Sequence, residues 1–150
     1  MSIAVGTALA DFRRRAFVRV IAASPYDGGD PLQPWSEDPA LWEVFEDETD
    51  LVVDLQAHWV ELLSRAVYGA PQYPLGEEPV IDLYTTLTME YPTLRAILAS
   101  HQDDHHLFDS VQEEQILLAR AAGHLHRASP TTLSLRGRDL LETIPAQRGG

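Results

Sequence analysis

The chain has 150 residues, with 23 acidic and 11 basic side chains and no lysine, asparagine or cysteine. Without lysine there is no amine for a Schiff base and no P-loop lysine, and without cysteine there is no thiol nucleophile and no iron–sulfur ligation. The net charge of −12 disfavours general nucleic-acid binding, because neutralised phosphates supply most of the non-specific affinity. The length is typical of one domain, so we predict a single helical domain over residues 1–150.

The sequence also predicts where the protein is found. It has no run of about 20 apolar residues, so we expect no membrane-spanning helix and no membrane partner. The first arginines follow the first apolar segment rather than precede it, unlike the order in a secretory signal. The absence of cysteine is consistent with a cytoplasmic protein, which is our expectation.

The first predicted element is a helix from about Gly6 to Ala23. Its apolar residues fall three and four apart, which is typical of a helix with one buried face. The stripe consists of Leu9, Phe12, Ala16 and Val20, widened by Phe17 and Ile21. We expect Leu9, Phe12 and Val20 in the core. The next segment, SPYDGGDPLQPWSEDP, holds four prolines and two glycines and is predicted to be a long loop.

A second long helical region is predicted from Asp38 to about Tyr68. Asp38 can accept hydrogen bonds from free amides, and Pro39 suits a first-turn position that needs no donor. A break near EDETD is left open because Glu48 falls on the apolar face. Gly69 to Pro79 then form a second proline-rich loop.

The stretch VIDLYTTLTMEY fits two patterns. Ile81, Leu83, Leu87 and Met89 alternate as in a strand, whereas Val80, Tyr84, Leu87 and Tyr91 follow helical spacing. We favour a helix, because the rest of the chain offers only short strand partners such as TTLSL.

Three further boundaries can be predicted toward the end of the chain. Pro92 either kinks a helix or begins the next one. Asp103 or Asp104 is expected to cap another long helix, which Gly123 could end. A short helix is predicted around Arg138–Thr143.

These elements predict an all-α fold, a single-domain bundle of five or six helices with two long proline-rich loops. Besides Leu9, Phe12 and Val20 of the first helix, the predicted core consists of Phe45, Leu55, Trp59, Leu62, Leu87, Leu94, Ile97, Phe108, Val111 and Leu118.

Histidines and carboxylates cluster in HQDDHH, which could hold a metal ion. In a continuous helix His101, His105 and Glu113 would lie on one stripe, and Asp54 and His58 have the same spacing earlier in the chain. Facing helices of a bundle can build metal sites from such residues. Asp103 and Asp104 are better explained as a helix cap, which would break the stripe. No cofactor is expected in the favoured interpretation, and a transition metal is the alternative.

No catalytic residue is predicted. The serines lie in no G-x-S-x-G elbow and no S-x-x-K pair, and no G-x-G-x-x-G occurs. His124 and His126 close a helix, where the helix dipole favours a protonated imidazole.

Two aromatic residues lie in the proline-rich loops among polar neighbours. Trp35 and Tyr73 are therefore predicted as anchors for a partner protein.

TTLSLRGRDLLETI, through Leu133, Gly137, Arg138, Leu140 and Leu141, resembles the last wing strand and the following helix of winged-helix regulators. The resemblance implies a strand at TTLSL and a DNA-binding role. No recognition-helix motif rich in basic residues precedes it, and we assign no family.

The favoured function is a non-enzymatic interaction or regulatory protein that uses an acidic helical surface to bind a protein partner. The first alternative is a metal-binding helical bundle with a redox, sensing or storage role. The second alternative is a winged-helix DNA-binding regulator. A homodimer is compatible with each of them.

Overall fold

The computed structural model of the protein describes residues 3–124 and 130–143, which form eight α-helices, one 3-10 turn and no strand. The all-α prediction is confirmed. The elements are α1 (Ile3–Ala23), α2 (Gln33–Ser36), α3 (Pro39–Val44), α4 (Glu48–Tyr68), α5 (Glu77–Glu90), α6 (Pro92–Ser100), the 3-10 turn (His105–Leu107), α7 (Phe108–Ala121) and α8 (Pro130–Thr143).

The helix count of five or six is wrong, because the region before Tyr68 contains more helices than predicted. The first proline-rich loop includes the short helix α2, with Pro34 in its first turn. Asp38 caps α3 as predicted, its carboxylate accepting the amide of Ala40 at 2.9 Å. The break near EDETD is real: the side chain of Asp47 accepts the amide of Asp50 at 2.9 Å, at the start of α4.

The later boundaries follow the sequence more closely. Residues 77–90 are helical, which confirms the helix in place of the strand, and Pro92 begins α6. Asp104 caps the 3-10 turn by accepting the amide of His106 at 2.9 Å. Gly123 has a φ of +99°, which suits the end of α7. The tail helix is longer than predicted, because α8 begins at Pro130 and includes TTLSL.

The wing strand implied by the resemblance is therefore wrong, since TTLSL is helical. The resemblance to winged-helix regulators loses its structural basis. No helix in the described ranges is long and apolar enough to cross a membrane.

The described residues belong to two compact units. The first unit contains the chain up to Leu55 together with Tyr91–Asp103, and the second contains Gln56–Glu90 and the chain from Asp104. The single domain expected from the length stays a prediction.

In the first unit α1 packs against α3 and α6. Its buried residues are Val18, Ile21 and Ala22. They share the core with Leu41, Phe45, Leu51, Val52, Leu55, Leu94, Ile97 and Leu98. The prediction that Leu9, Phe12 and Val20 belong to the core is wrong, because all three are exposed.

The second unit is built around Trp59, which is fully buried. The ring of Tyr84 packs edge-on against Trp59, with ring centroids 5.6 Å apart. The indole N–H of Trp59 donates to the buried carboxylate of Glu114. Leu87 and Leu118 are buried as predicted, Leu62 and Val111 are half-buried, and Phe108 is exposed against the prediction.

The backbone of α7 lies against α8 at Gly137. A Cβ atom at this position would lie 1.9 Å from the backbone oxygen of Gln115. One turn earlier, the hydroxyl of Ser134 donates to the side-chain oxygen of Gln115, and both side chains are buried. Gly137 is thus a helix-crossing residue and not the wing glycine implied by the resemblance.

We expect Gly137→Ala to lower the free energy of unfolding by about 1–3 kcal/mol, because the methyl group overpacks the crossing. In the middle of a solvent-exposed helix the same Gly→Ala change stabilises the fold by roughly 0.5–1 kcal/mol. A destabilising effect would therefore show that the two helices are in close contact at Gly137. Urea unfolding measures it. Arg138→Ala, at an exposed position on the same helix, is the control and should have little effect. A G137A protein as stable as the wild type would contradict the close approach.

Candidate functional site

The most distinctive surface of the described chain is an apolar groove on α1 in the first unit. It holds a cavity of about 220 Å³. The residues that line it define the α1 groove: Phe12, Arg13, Ala16, Phe17, Val20 and Trp35. Phe12 is 69% exposed and Val20 53%, and Leu9, one turn before Phe12 on the same face, is 59% exposed. Contiguous exposed apolar surface of this kind marks interaction sites on soluble proteins.

Arg14 explains why this face of α1 points outward. Its guanidinium donates to both carboxylate oxygens of Asp50 at 2.9 and 3.3 Å and to Asp54 at 3.2 Å. It also donates to the carbonyl of Val44 at 3.2 Å and lies 4.6 Å from the ring centroid of Phe45. Arg14 therefore joins α1 to the junction of α3 and α4.

The electrostatics of this cluster follow from that geometry. The hydrogen bond to Asp50 raises the pKa of Arg14, although desolvation opposes the shift. Desolvation would raise the pKa of Asp50, but hydrogen bonds from Arg14 and from the amide of Glu46 outweigh it, so the pKa of Asp50 is lowered. Both groups are therefore charged at neutral pH.

The second wall of the groove is Trp35, which is half-buried in α2. Its amide donates to the carbonyl of buried Leu32 at 2.9 Å, and its carbonyl accepts the amide of Asp38 at 3.0 Å. The indole N–H of Trp42 donates to the carbonyl of Ser36 at 2.7 Å and joins α3 to the end of α2. The backbone of Trp35 is therefore fixed by hydrogen bonds. A preorganised residue of this kind loses less conformational entropy when a partner binds.

Tyr73, the other predicted anchor, lies in the second unit. It is 39% exposed, and its ring lies beside that of Tyr68 with centroids 5.4 Å apart. Burial, together with the neighbouring Tyr68, raises the pKa of Tyr73. Tyr73, on a loop, pairs with Tyr68 and is not among the residues that line the α1 groove.

Two of the five predicted metal ligands are paired with other side chains. Asp54 binds Arg14, and His101 in the first unit meets Glu48 through Nε2 at 3.0 Å. His58 is half-buried and Glu113 is exposed, both in the second unit. The metal site formed by Asp54, His58, His101, His105 and Glu113 stays a prediction.

Among the described residues, a different triplet brings potential ligand atoms within 4.8 Å of one another: Asp104, His105 and His106. It contains only His105 of the predicted set. Nδ1 of His106 already lies 2.8 Å from Asp104, and the backbone amide and the ring of His106 lower the pKa of that carboxyl group.

A smaller polar cavity of about 110 Å³ lies in the second unit, lined by Glu77, His124, Arg136, Asp139 and Leu140. Nε2 of His124 is 3.6 Å from Glu77. His126, the other histidine predicted to close this helix, lies outside the described residues.

Comparison with known proteins adds no relative: no family model, no curated protein and no solved structure matches the chain. Any functional conclusion therefore depends on the geometry of the sites.

The sequence singled out Trp35 but missed the rest of the groove. Helical spacing places Phe12 and Val20 in the predicted core, because it identifies a helix face without telling which way that face points. A second apolar set on α1 consists of Val18, Ile21 and Ala22, on the same side as Arg14, so the sequence indicates two apolar faces and does not tell which one is buried.

We expect Asp50→Asn to lower the free energy of unfolding at pH 7 by about 1–3 kcal/mol, because it leaves Arg14 with a weaker acceptor. The pKa of Asp50 is lowered by folding. The ionised Asp50 carboxylate therefore contributes its full stabilisation at pH values well above the pKa of the unfolded state. This stabilisation is lost as the pH falls below about 4 and through the lower pKa of the folded state. Urea unfolding at neutral and acid pH should show the difference between D50N and wild type shrinking in acid.

The matched control is Glu43→Gln, which removes the exposed ion pair between Glu43 and Arg13. It should leave stability nearly unchanged at both pH values. A D50N protein with wild-type stability at neutral pH would show that Arg14 does not hold α1 in place.

Proposed function

We propose that the protein is a non-enzymatic interaction protein that binds one helix of a protein partner in the α1 groove. The observation that carries the proposal is the exposed apolar face of α1, closed on one side by Trp35. The interaction role and the protein partner agree with the sequence prediction. The proposed contact surface is this apolar groove in place of the acidic helical surface.

The shape of the groove supports a helical partner. Leu9, Phe12, Ala16 and Val20 repeat along α1 over three turns, so they form an elongated apolar ridge. Trp35 lies against this ridge and makes the surface concave. An amphipathic helix uses the same periodicity, and docking of such a helix into an apolar groove is a recurrent mode of recognition.

Phe12 and Trp35 are the expected energetic centre of the contact. Aromatic residues that become fully desolvated in an interface contribute most of its binding energy. The backbone of Trp35 is held by hydrogen bonds to Leu32 and Asp38, so little backbone entropy is lost at this position when the partner binds. Tyr73, in the second unit, is retained in the proposal as a separate partner contact.

The test selects ligands from a displayed library of random peptides of about 16 residues, long enough for four helical turns. We expect the wild-type protein to enrich peptides with apolar residues at i, i+3, i+4 and i+7. Fluorescence anisotropy should show that Phe12→Ala and Trp35→Ala each weaken binding of these peptides about ten-fold or more.

The control is Met89→Ala in α5, because Met89 is 69% exposed, as is Phe12. M89A should bind the selected peptides as tightly as wild type does. Selected peptides that bind F12A and W35A with wild-type affinity would overturn the proposal. Thermal unfolding of both variants should match wild type within a few degrees, since neither side chain belongs to the core.

A further inference from the structure

We infer that the partner helix carries acidic side chains along the edge of its apolar face that meets Arg15 and Arg19. This inference rests on the proposed function, because it concerns the ligand of the α1 groove. It starts from an uneven distribution of charge: α1 contains four arginines and one aspartate, within a chain whose net charge is −12.

The arginines of α1 lie on both edges of the exposed apolar face. Consecutive residues of an α-helix are about 100° apart, which places Arg15 and Arg19 along the edge next to Phe12. Arg13 lies on the opposite edge, beside Phe17, and lines the groove itself. A docked helix therefore meets guanidinium groups on both sides, but that of Arg13 is already paired within the chain.

Two of these guanidinium groups are available to a partner. Arg14 is bound to Asp50 and Asp54 on the buried side of α1, and Arg13 meets the carboxylate of Glu43 at 3.1 Å. Arg15 and Arg19 are exposed and form no ion pair within residues 3–124 and 130–143. Carboxylates of a bound helix would complete charge pairs that the chain itself leaves open.

A second copy of the chain is a poorer occupant. If two copies paired through antiparallel α1 helices, each edge of one helix would meet the corresponding edge of the other. Arg15 and Arg19 of one copy would then face Arg15 and Arg19 of the second copy. In a parallel pair the edge of Arg15 and Arg19 would face Arg13. The antiparallel arrangement brings unpaired like charges together, and in the parallel one the arginine that is met is already paired with Glu43. Neither arrangement therefore offers Arg15 and Arg19 a free carboxylate.

The negative charge of the rest of the chain does not cancel this local preference. At physiological ionic strength the Debye length is about 8 Å, so distant carboxylates are largely screened from the groove. The same net charge disfavours anionic lipid bilayers as the ligand, because a bilayer presents charge over the whole facing surface. A flat bilayer also cannot fill a concave groove bordered by Trp35.

The test compares two synthetic helical peptides with the same apolar face, one flanked by glutamates and one by lysines. Anisotropy titration at physiological salt should show the glutamate peptide binding wild-type protein about ten-fold tighter. The double variant R15E/R19E should reverse this order. R136E/R138E makes the same charge change at exposed positions of α8 and should keep the wild-type order.

The outcomes separate the inference from the proposed function. Equal binding of the two peptides, with loss of both in Phe12→Ala, would overturn the acidic partner and leave the groove as a helix-binding site. Binding of neither peptide would overturn both claims. Sedimentation that shows a dimer lost in F12A, or capture of phosphatidylserine vesicles in preference to the glutamate peptide, would also overturn the inference.

Discussion

The ion-pair cluster of Arg14 determines which side of α1 faces the interior of the first unit. A partly buried guanidinium needs carboxylate and carbonyl partners, and Asp50, Asp54 and Val44 supply them at the junction of α3 and α4. Rolling α1 about its axis would break these bonds and leave two carboxylates without their cation. Val18 and Ile21 turn inward with Arg14, and the opposite face, which includes Phe12, remains outside.

This constraint also explains which parts of the structure could be predicted. Helix ends follow from local chemistry, so the cap at Asp38, the end of α4 at Tyr68 and the start of α6 at Pro92 agree with the sequence. The orientation of α1 could not be derived, because the helix is apolar on two faces and periodicity is the same for both. The two faces are distinguished only by the partners of Arg14, which lie 36 and 40 residues later in the chain.

A similar limit applies to Gly137 and to the metal residues. A glycine after a strand-like sequence predicts a turn. The role of Gly137 at a helix crossing depends on its contact with Gln115 of α7, which the local sequence does not identify. The predicted metal stripe assumed one continuous helix through HQDDHH, whereas α6 ends at Ser100 and Asp104 begins a new turn. Trp35 is half-buried, because prolines on either side exclude it from a long buried helix, and its role as a partner anchor stays a prediction.

The central claim is that the Phe12 face of α1 is outside and the Val18 face is inside. The absence of native cysteine makes a direct measurement simple: F12C, A16C, V18C and I21C each carry one thiol, whose rate of reaction with a disulfide reagent reports its exposure. The account predicts fast reaction in F12C and A16C, and strong protection in V18C and I21C until the protein is unfolded. Protection of F12C together with fast reaction of V18C would show that α1 packs by the opposite face, and the groove would not exist.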